Sequence, residues 1–421
     1  MAGSPERHSR LSGVGLPPLS SALLEARHSG IREVSNLAVG RRGCLRLEVG
    51  QPDFRAPAHV AEAGKRAIDE GWTFYTPTAG LPVLRERLAA KLHEVNGIAA
   101  EPADVVCGPG GVGVLAAALT ALCNPGDEVL LPDPHWPNYT IMVAAVQARP
   151  IFYPCPPELG FLPDLEELES RVTPRTRVLV VNSPNNPTGA VYPPATLRAL
   201  GEIADRHGLW LVSDECYDQI VFDGLRVAPS LAQSADPARV VSAFSFSKTY
   251  AMTGWRLGYA TAPPPVVDTM VKVLEASNSC PSTIAQKAGE AALAGPQDCV
   301  GEMVAAYARR REAAVDLLRE AGLLLTVPQG AFYVLADVSR SGLDSRAFAL
   351  ALLEQRDVAV APASAMGAVA QGAVRISLAS ADADLREGVA RLCELVAELA
   401  QGAEAVGLES AREVSRPGQG A

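Results

Sequence analysis

Val240-Val241-Ser242-Ala243-Phe244-Ser245-Phe246-Ser247-Lys248-Thr249-Tyr250-Ala251-Met252-Thr253-Gly254-Trp255-Arg256 opens as an apolar run and closes in hydroxyls, one lysine, a glycine turn and an arginine. The opening is that of a strand buried on both faces. A lysine so near a buried strand is costly to desolvate. Burial and nearby cations lower its pKa, and the neutral amine can then attack a carbonyl to form a Schiff base. Arg256 follows Lys248 by eight residues, where it could hold an anion together with the hydroxyls of Ser245 and Ser247. Lys248 by itself would read as a surface lysine after a strand; the residues gathered around it below argue otherwise.

Two similar runs precede this one. Val178–Asn182 leads into Ser183-Pro184-Asn185-Asn186-Pro187-Thr188-Gly189, and Leu209–Ser213 leads into Asp214-Glu215-Cys216-Tyr217. Helical stretches separate the runs, Ala195–Arg206 most clearly. Such alternation implies right-handed crossovers and a parallel sheet with helices on both faces. In such sheets ligands bind beyond the carboxyl ends of the strands. Asn186, Asp214, Ser245 and Lys248 all fall there, and this shared placement says more than any one motif.

Further upstream, Asp104–Cys107 reads as a strand entering Gly108-Pro109-Gly110-Gly111-Val112-Gly113 and an Ala/Leu-rich helix over Val114–Cys123. Strand, glycine turn and helix start form an anion cradle, with free N–H groups pointing outward. Gly126–Leu131 is another strand, ending in Asp133-Pro134-His135-Trp136-Pro137-Asn138-Tyr139. Near the N-terminus, Ser20–Leu37 is expected to be helical with a turn near Gly30. Leu45–Val49 is expected to be a strand running into the sharp turn at Gly50, and Val60–Glu70 and Leu81–Val95 to be helices. Tyr75 lies on the polar loop between those two helices. Downstream, Val300–Leu318 reads as a charged helix. Leu323–Val327, Gly330–Leu335 and Val374–Leu378 read as strands of a smaller α/β layer, closed by a helix over Asp384–Leu399. The expected division is a large unit, 55–300, and a small unit built from both chain ends, 11–54 and 301–402. Residues 1–10 and 403–421 are expected to be flexible tails.

The totals fit this reading. A chain of 421 residues, 48% hydrophobic and 20% charged, can bury a large core in two domains. A net charge of −10 with no block of like charge argues against a nucleic-acid surface. The eight cysteines are scattered without a C-x-x-C pair, which suggests reduced thiols and no zinc site. No apolar signal core or membrane-length run occurs, so a cytoplasmic protein is expected.

The ordered set Asn-Pro-Thr-Gly (186–189), Asp-x-x-Tyr (214–217), Ser-x-Ser-Lys (245–248), Arg256 and a late arginine, Arg375, resembles class I/II aminotransferases of fold type I. These enzymes depend on pyridoxal 5′-phosphate, and the likeness runs from about residue 20 to 400. The resemblance implies a large domain with a mostly parallel mixed sheet sandwiched by helices, plus a smaller α/β domain. It implies that Lys248 forms the Schiff base with the cofactor and shuttles the substrate proton. Asp214 would pair with the ring nitrogen, Tyr217 and Asn186 would bond the ring oxygen, and Trp136 would stack on the ring. Gly110, Gly111, Val112, Ser245, Ser247 and Arg256 would hold the phosphate, joined by Tyr75 from the second subunit of a homodimer. Arg375 would clamp the substrate α-carboxylate, helped by Asn186 and the Gly50 backbone. The implied reaction is ping-pong transfer of an amino group between an L-amino acid and a 2-oxo acid. A lyase, or a decarboxylating or oxidative deaminating enzyme, would share Lys248 and Asp214 and stays open as the alternative. A non-catalytic ligand sensor on the same fold ranks below both. The sequence departs from many relatives at Val112 and Gly113, where longer polar residues are common. It also offers no arginine or lysine placed by sequence as a second carboxylate clamp.

Overall fold

Twelve strands carry the fold of the computed structural model, which describes residues 19–25 and 30–414. In chain order they are β1 (Leu45–Arg46), β2 (Val105–Gly108), β3 (Glu128–Asp133), β4 (Arg149–Pro154), β5 (Thr176–Asn182) and β6 (Trp210–Asp214). There follow β7 (Val240–Ser245), β8 (Gly258–Thr261), β9 (Tyr333–Asp337), β10 (Val358–Ala359), β11 (Ala361–Pro362) and β12 (Ala373–Ser377).

Seven of them form one sheet in the order β2-β8-β7-β6-β5-β3-β4. Strands β4, β3, β5, β6 and β7 run parallel; β8 is antiparallel to both of its neighbours, giving the expected mixed sheet. The uninterrupted apolar runs follow from burial on both faces. Val178 and Val180 of β5 pack on one side with Val129, Val212 and Val241, while Leu179 and Val181 pack on the other with Leu130 and Leu211. Each fully buried Val or Leu contributes about 1.5–3 kcal/mol relative to exposure. The helices Gly110–Leu122 and Pro264–Asn278 cover the first face, and Leu165–Ser170 and Pro194–His207 the second. In the register, Asn182 of β5 lies beside Asp214 of β6, and Asp214 beside Ala243 of β7. Adjoining strands therefore deliver neighbouring side chains at one edge.

The smaller layer is the antiparallel sheet β11-β12-β9, with β1 and β10 paired in parallel beside it. Val374 and Ile376 enter the core beside Val334 and Ala336, so the intervening Arg375 leaves it on the other side of β12. Helix Asp298–Glu320 brackets this layer with the last helix, Asp382–Val414.

Three expectations are corrected. Leu323–Val327 is no strand and makes a single bridge, Leu324 to Ala336; Val327 is exposed and Pro328 offers no donor to extend the pairing. Strand β1 stops at Arg46, because its partner β10 supplies only two residues, although the Leu47 amide still donates to the Ala359 carbonyl. The last helix runs on to Val414 where a frayed tail was expected from residue 403, because Ala, Glu, Leu and Arg outweigh the glycines there. The expected tail over 1–10 lies outside the described residues, as do 415–421. All eight cysteines are free. No helix among the described residues is long and apolar enough to cross a membrane.

Candidate active site

Beyond the carboxyl ends of β5, β6 and β7 a cleft of about 370 Å³ opens against β12. It is lined by Asn186, Asp214, Tyr217, Ser245, Ser247, Lys248, Arg256 and Arg375 and by Gly50, Gly111, Val112 and Trp136. Of the residues expected at the site, Gly110 sits just behind this lining and Tyr75 stays outside it. Tyr75 is 88% exposed, in a patch with Phe74 and Trp72.

Lys248 sits in a one-turn helix, Phe246–Thr249, that Ser245 caps by accepting from the Ser247 amide at 3.1 Å. That turn carries the amine off the strand end and into the cleft, where it donates to the Gly50 carbonyl at 2.6 Å. Gly50 is thus engaged by the lysine; an added Cβ there would collide with the Tyr333 hydroxyl. Burial lowers the Lys248 pKa to about 8. The charges of Arg375 and Arg256 push the same way, against Cys216 and Asp214.

Asp214 is buried, and burial raises its pKa. Hydrogen bonds oppose that rise: the Tyr139 hydroxyl donates at 2.5 Å and the Cys216 amide at 3.2 Å, with the Lys248 charge adding to them. The Asn182 side chain donates to the Asp214 carbonyl at 3.0 Å and accepts from the Asn186 amide at 2.9 Å. It thereby ties the ends of β5 and β6 into one frame. Asn186 in turn accepts from Arg375 Nη1 at 2.8 Å, while Arg375 Nη2 donates to the Glu48 carbonyl at 2.8 Å. Arg375 is only 3% exposed, stacks 4.2 Å from the Tyr333 ring centroid, and leaves its Nε without a partner among the described residues. The Tyr217 and Tyr333 hydroxyls lie 3.0 Å apart, both phenols raised in pKa chiefly by burial.

Gly110 begins the helix Gly110–Leu122 at φ +78°, and an added Cβ would lie 2.5 Å from Arg256 Nη2. A Cβ on Gly111 would meet Cys216 Sγ at 2.6 Å. Arg256 holds a left-handed backbone, φ 56°, that turns its guanidinium onto the carbonyls of Thr253 at 2.8 Å and Pro109 at 3.2 Å. Backbone held in a region uncommon for a side chain with a Cβ marks a position the fold has paid to set. The result is an arginine over the N–H groups of a helix start, beside two serines, which is an arrangement for an anion.

A profile of the family described as "Aminotransferase class I and II" matches residues 42–392. The chain belongs to the class I and II aminotransferases. The aspartate/prephenate aminotransferase of Cereibacter sphaeroides is 40% identical over 391 residues, covering 89% of this chain and 97% of that protein. Aromatic-amino-acid aminotransferase 2 of Thermococcus litoralis is 37% identical over 383 residues, covering 90% and 98%. The solved aspartate aminotransferase from Thermus thermophilus with maleate has a TM-score of 0.86 at 38% identity, covering 90% of this chain and all of that one. The protein is thus an enzyme, an aminotransferase that moves an amino group between an amino acid and a 2-oxo acid, and its family depends on pyridoxal phosphate.

Sequence reasoning missed several residues of this aminotransferase's cleft. Tyr139 carried a signal, since it closes the segment beyond β3 as Asp214 closes β6. Asn182, as the last residue of β5, carried the same one. Tyr333 was hidden inside an apolar run, and Arg32 on the polar side of an amphipathic helix, where a charged residue reads as solvent-facing.

Proposed function

We propose that this aminotransferase holds pyridoxal 5′-phosphate in the cleft and works as a homodimer in the cytoplasm. The observation that carries the cofactor assignment is the cradle at Gly110 and Gly111: a Cβ at either glycine would fall on Arg256 or Cys216, so the helix start carries no side chain there and its N–H groups lie beside Arg256, Ser245 and Ser247. Its donors suit a phosphate: helix-start N–H groups through Val112, the Ser245 and Ser247 hydroxyls and the Arg256 guanidinium. Trp136 offers the ring a face, Asp214 a carboxylate for its nitrogen, and Tyr217 and Asn186 donors for its oxygen. The cofactor, when bound, supplies an electron sink for negative charge developing at the substrate Cα.

The remaining chemistry belongs to the chain. Lys248, with its pKa near 8 instead of the ordinary 10.5, is mostly protonated at pH 7 but carries a far larger neutral fraction than an exposed lysine. Its Nζ can therefore take the proton from Cα and give it back at a neighbouring carbon. Tyr139 and the Cys216 amide oppose the rise in pKa that burial imposes on Asp214, and by bonding the carboxylate they favour the form that can hold a protonated nitrogen. Arg375, stacked on Tyr333 and steadied by Asn186, presents a fork to the α-carboxylate and fixes the Cα–H bond in one orientation. We infer that 11–54 and 301–402 move as a unit against 55–300, since Arg375 and Gly50 lie on one and Asp214 and Lys248 on the other; closure would expel water from the proton path. Tyr75, exposed on its own subunit, would reach the phosphate of the partner subunit. The free cysteines accord with a reducing compartment.

A single turnover tests this. Holoenzyme mixed with an amino acid and no acceptor should give pyridoxamine phosphate and 2-oxo acid in equal amounts. Ammonia or carbon dioxide released in step with substrate loss would overturn amino transfer in favour of elimination or decarboxylation.

A further inference from the structure

Beyond Leu47 the chain leaves β1 and runs on as a strap, Glu48–Ala56, which lines the cleft with Val49, Gly50 and Gln51. Leu47 is its last backbone anchor: the amide donates to the Ala359 carbonyl, and the carbonyl accepts from the Ser377 amide. No backbone group of the strap bonds another backbone group among the described residues. Its place is set by side chains instead. Arg46 Nε donates to the Glu48 carboxylate at 2.7 Å, only two residues away, and so fixes just the start. Arg375 Nη2 donates to the Glu48 carbonyl at 2.8 Å, and Lys248 Nζ to the Gly50 carbonyl at 2.6 Å. The remaining cation is Arg310, whose guanidinium holds both oxygens of Asp53, at 2.9 and 2.8 Å. Arg375 and Lys248 belong to the cleft and must serve substrate and cofactor. Arg310 lies outside the lining and keeps its grip while they react.

Arg310 sits on helix Asp298–Glu320 and is 6% exposed. Its Nη1 also donates to the Leu378 carbonyl at 3.3 Å, and its Nε to Asp382 at 2.7 Å. Leu378 directly follows β12, three residues after Arg375, and Asp53 stands three residues after Gly50. One planar guanidinium thus joins the strap that receives Lys248 to the strand that presents Arg375. Phe54 and Tyr307 pack edge to face beside it, their ring centroids 5.4 and 5.9 Å from the guanidinium. The next residue, Arg311, is 8% exposed and makes a similar fork with Asp223 and a bond to the Pro328 carbonyl, but it bonds neither the strap nor the end of β12.

We propose that Arg310 is a positioning residue for amino transfer: through Asp53 and Leu378 it fixes the Gly50 carbonyl, and with it Lys248, relative to the Arg375 fork. The proposal rests on the amino-transfer reading of the cleft. Substrate must meet both groups at once, because the carboxylate held by Arg375 sets where the Cα–H bond points and Lys248 takes that proton. A misplacement of about 1 Å in such a pair costs about 100-fold in rate.

The test compares Arg310→Met and Asp53→Asn with Arg311→Met, which breaks a comparably buried ion pair on the same helix and controls for lost stability. Competitive acetylation of the full-length protein freed of cofactor, followed by peptide mapping across pH, reads the proton affinity of Lys248. A carbonyl acceptor favours the charged amine, so a strap that drifts away lowers the midpoint. Arg310→Met and Asp53→Asn should lower it by about 0.5–1 pH unit, the loss of one hydrogen bond. Arg311→Met should leave it in place. In the holoenzyme, kcat/KM for aspartate and phenylalanine alike should fall about 10- to 100-fold in the first two variants and less than about 2-fold in the third. Should Arg310→Met not accumulate as folded protein, Asp53→Asn carries the same prediction from a more exposed position. A midpoint that stays put in Asp53→Asn, or equal effects in Arg310→Met and Arg311→Met, would overturn the assignment. Wild type that forms no pyridoxamine phosphate with any amino acid would remove the underlying reading, and the proposal with it; the labelling midpoints tell that failure from the first.

Discussion

Replacing Lys248 by methionine should make the cofactor-free protein more stable at neutral pH. Burial lowers the lysine from its ordinary 10.5 to about 8. Below pH 8 the folded and unfolded states both carry the proton, and the cost of burying the charge is fully present. Between pH 8 and 10.5 the folded state sheds the proton while the unfolded state keeps it, so stability rises with pH, and above 10.5 the cost is gone. At about 1.4 kcal/mol per pH unit across that interval, the cost is about 3 kcal/mol. The variant also loses the hydrogen bond to the Gly50 carbonyl, about 1 kcal/mol, leaving a net gain of about 2 kcal/mol at pH 7. Urea unfolding of both proteins at pH 7 and pH 10.5 measures this directly. The gap should favour methionine by about 2 kcal/mol at pH 7 and shift by about 3 kcal/mol, to favour lysine slightly through the bond to Gly50, at the higher pH. A methionine variant that is less stable at pH 7, or a gap that does not move with pH, would refute the idea that this amine is held at an energetic cost.

Glu215 provides the mirror case, since burial raises its pKa from 4.5 to about 7. Its cost is absent below pH 4.5 and complete above pH 7, so Glu215→Gln should add up to about 3 kcal/mol at pH 8 and almost nothing at pH 4, read from the same urea curves. Arg375→Ala should lower kcat/KM about 100- to 1,000-fold for every amino acid without changing cofactor content. Arg375→Lys should recover only part of that loss in steady-state assays, because an ammonium lacks the fork. Gly110→Ala imposes a left-handed conformation on a residue with a Cβ, at about 1–2 kcal/mol, and sets that carbon against Arg256. Its dissociation constant for pyridoxal phosphate, read by fluorescence titration, should rise about 10-fold or more. Gly254→Ala, which meets nothing within 4 Å, should leave it unchanged.

What the sequence disclosed follows from how each element is stabilised. Strands β5, β6 and β7 are buried on both faces, so their Val and Leu runs stand out without any partner being known. Because such strands end at a defined edge, Asn186, Asp214 and Lys248 could be assigned to one place from their position in the chain. The apolar run Leu323–Val327 looked the same, yet whether such a run becomes a strand depends on a neighbour to pair with, and only Ala336 was available. The Tyr139 contact with Asp214 joins residues 75 apart and exists only once β3 and β6 are in the same sheet. Arg32 lay deepest out of sight. Nothing in Gly30–Ala38 distinguishes an arginine facing solvent from one facing a cleft, and the docking of Glu33 and Ser35 on distant residues decides which it is.

Borohydride reduction of the protein loaded with pyridoxal phosphate, followed by peptide mapping, tests the central claim most directly. The chain has five lysines, and only Lys248 lines the cleft. The pyridoxyl adduct should appear on Lys248 alone and disappear when an amino acid is added before the reductant. An adduct on Lys65, Lys91, Lys272 or Lys287 instead, or none at all, would contradict the assignment of this amine as the group on which amino transfer turns.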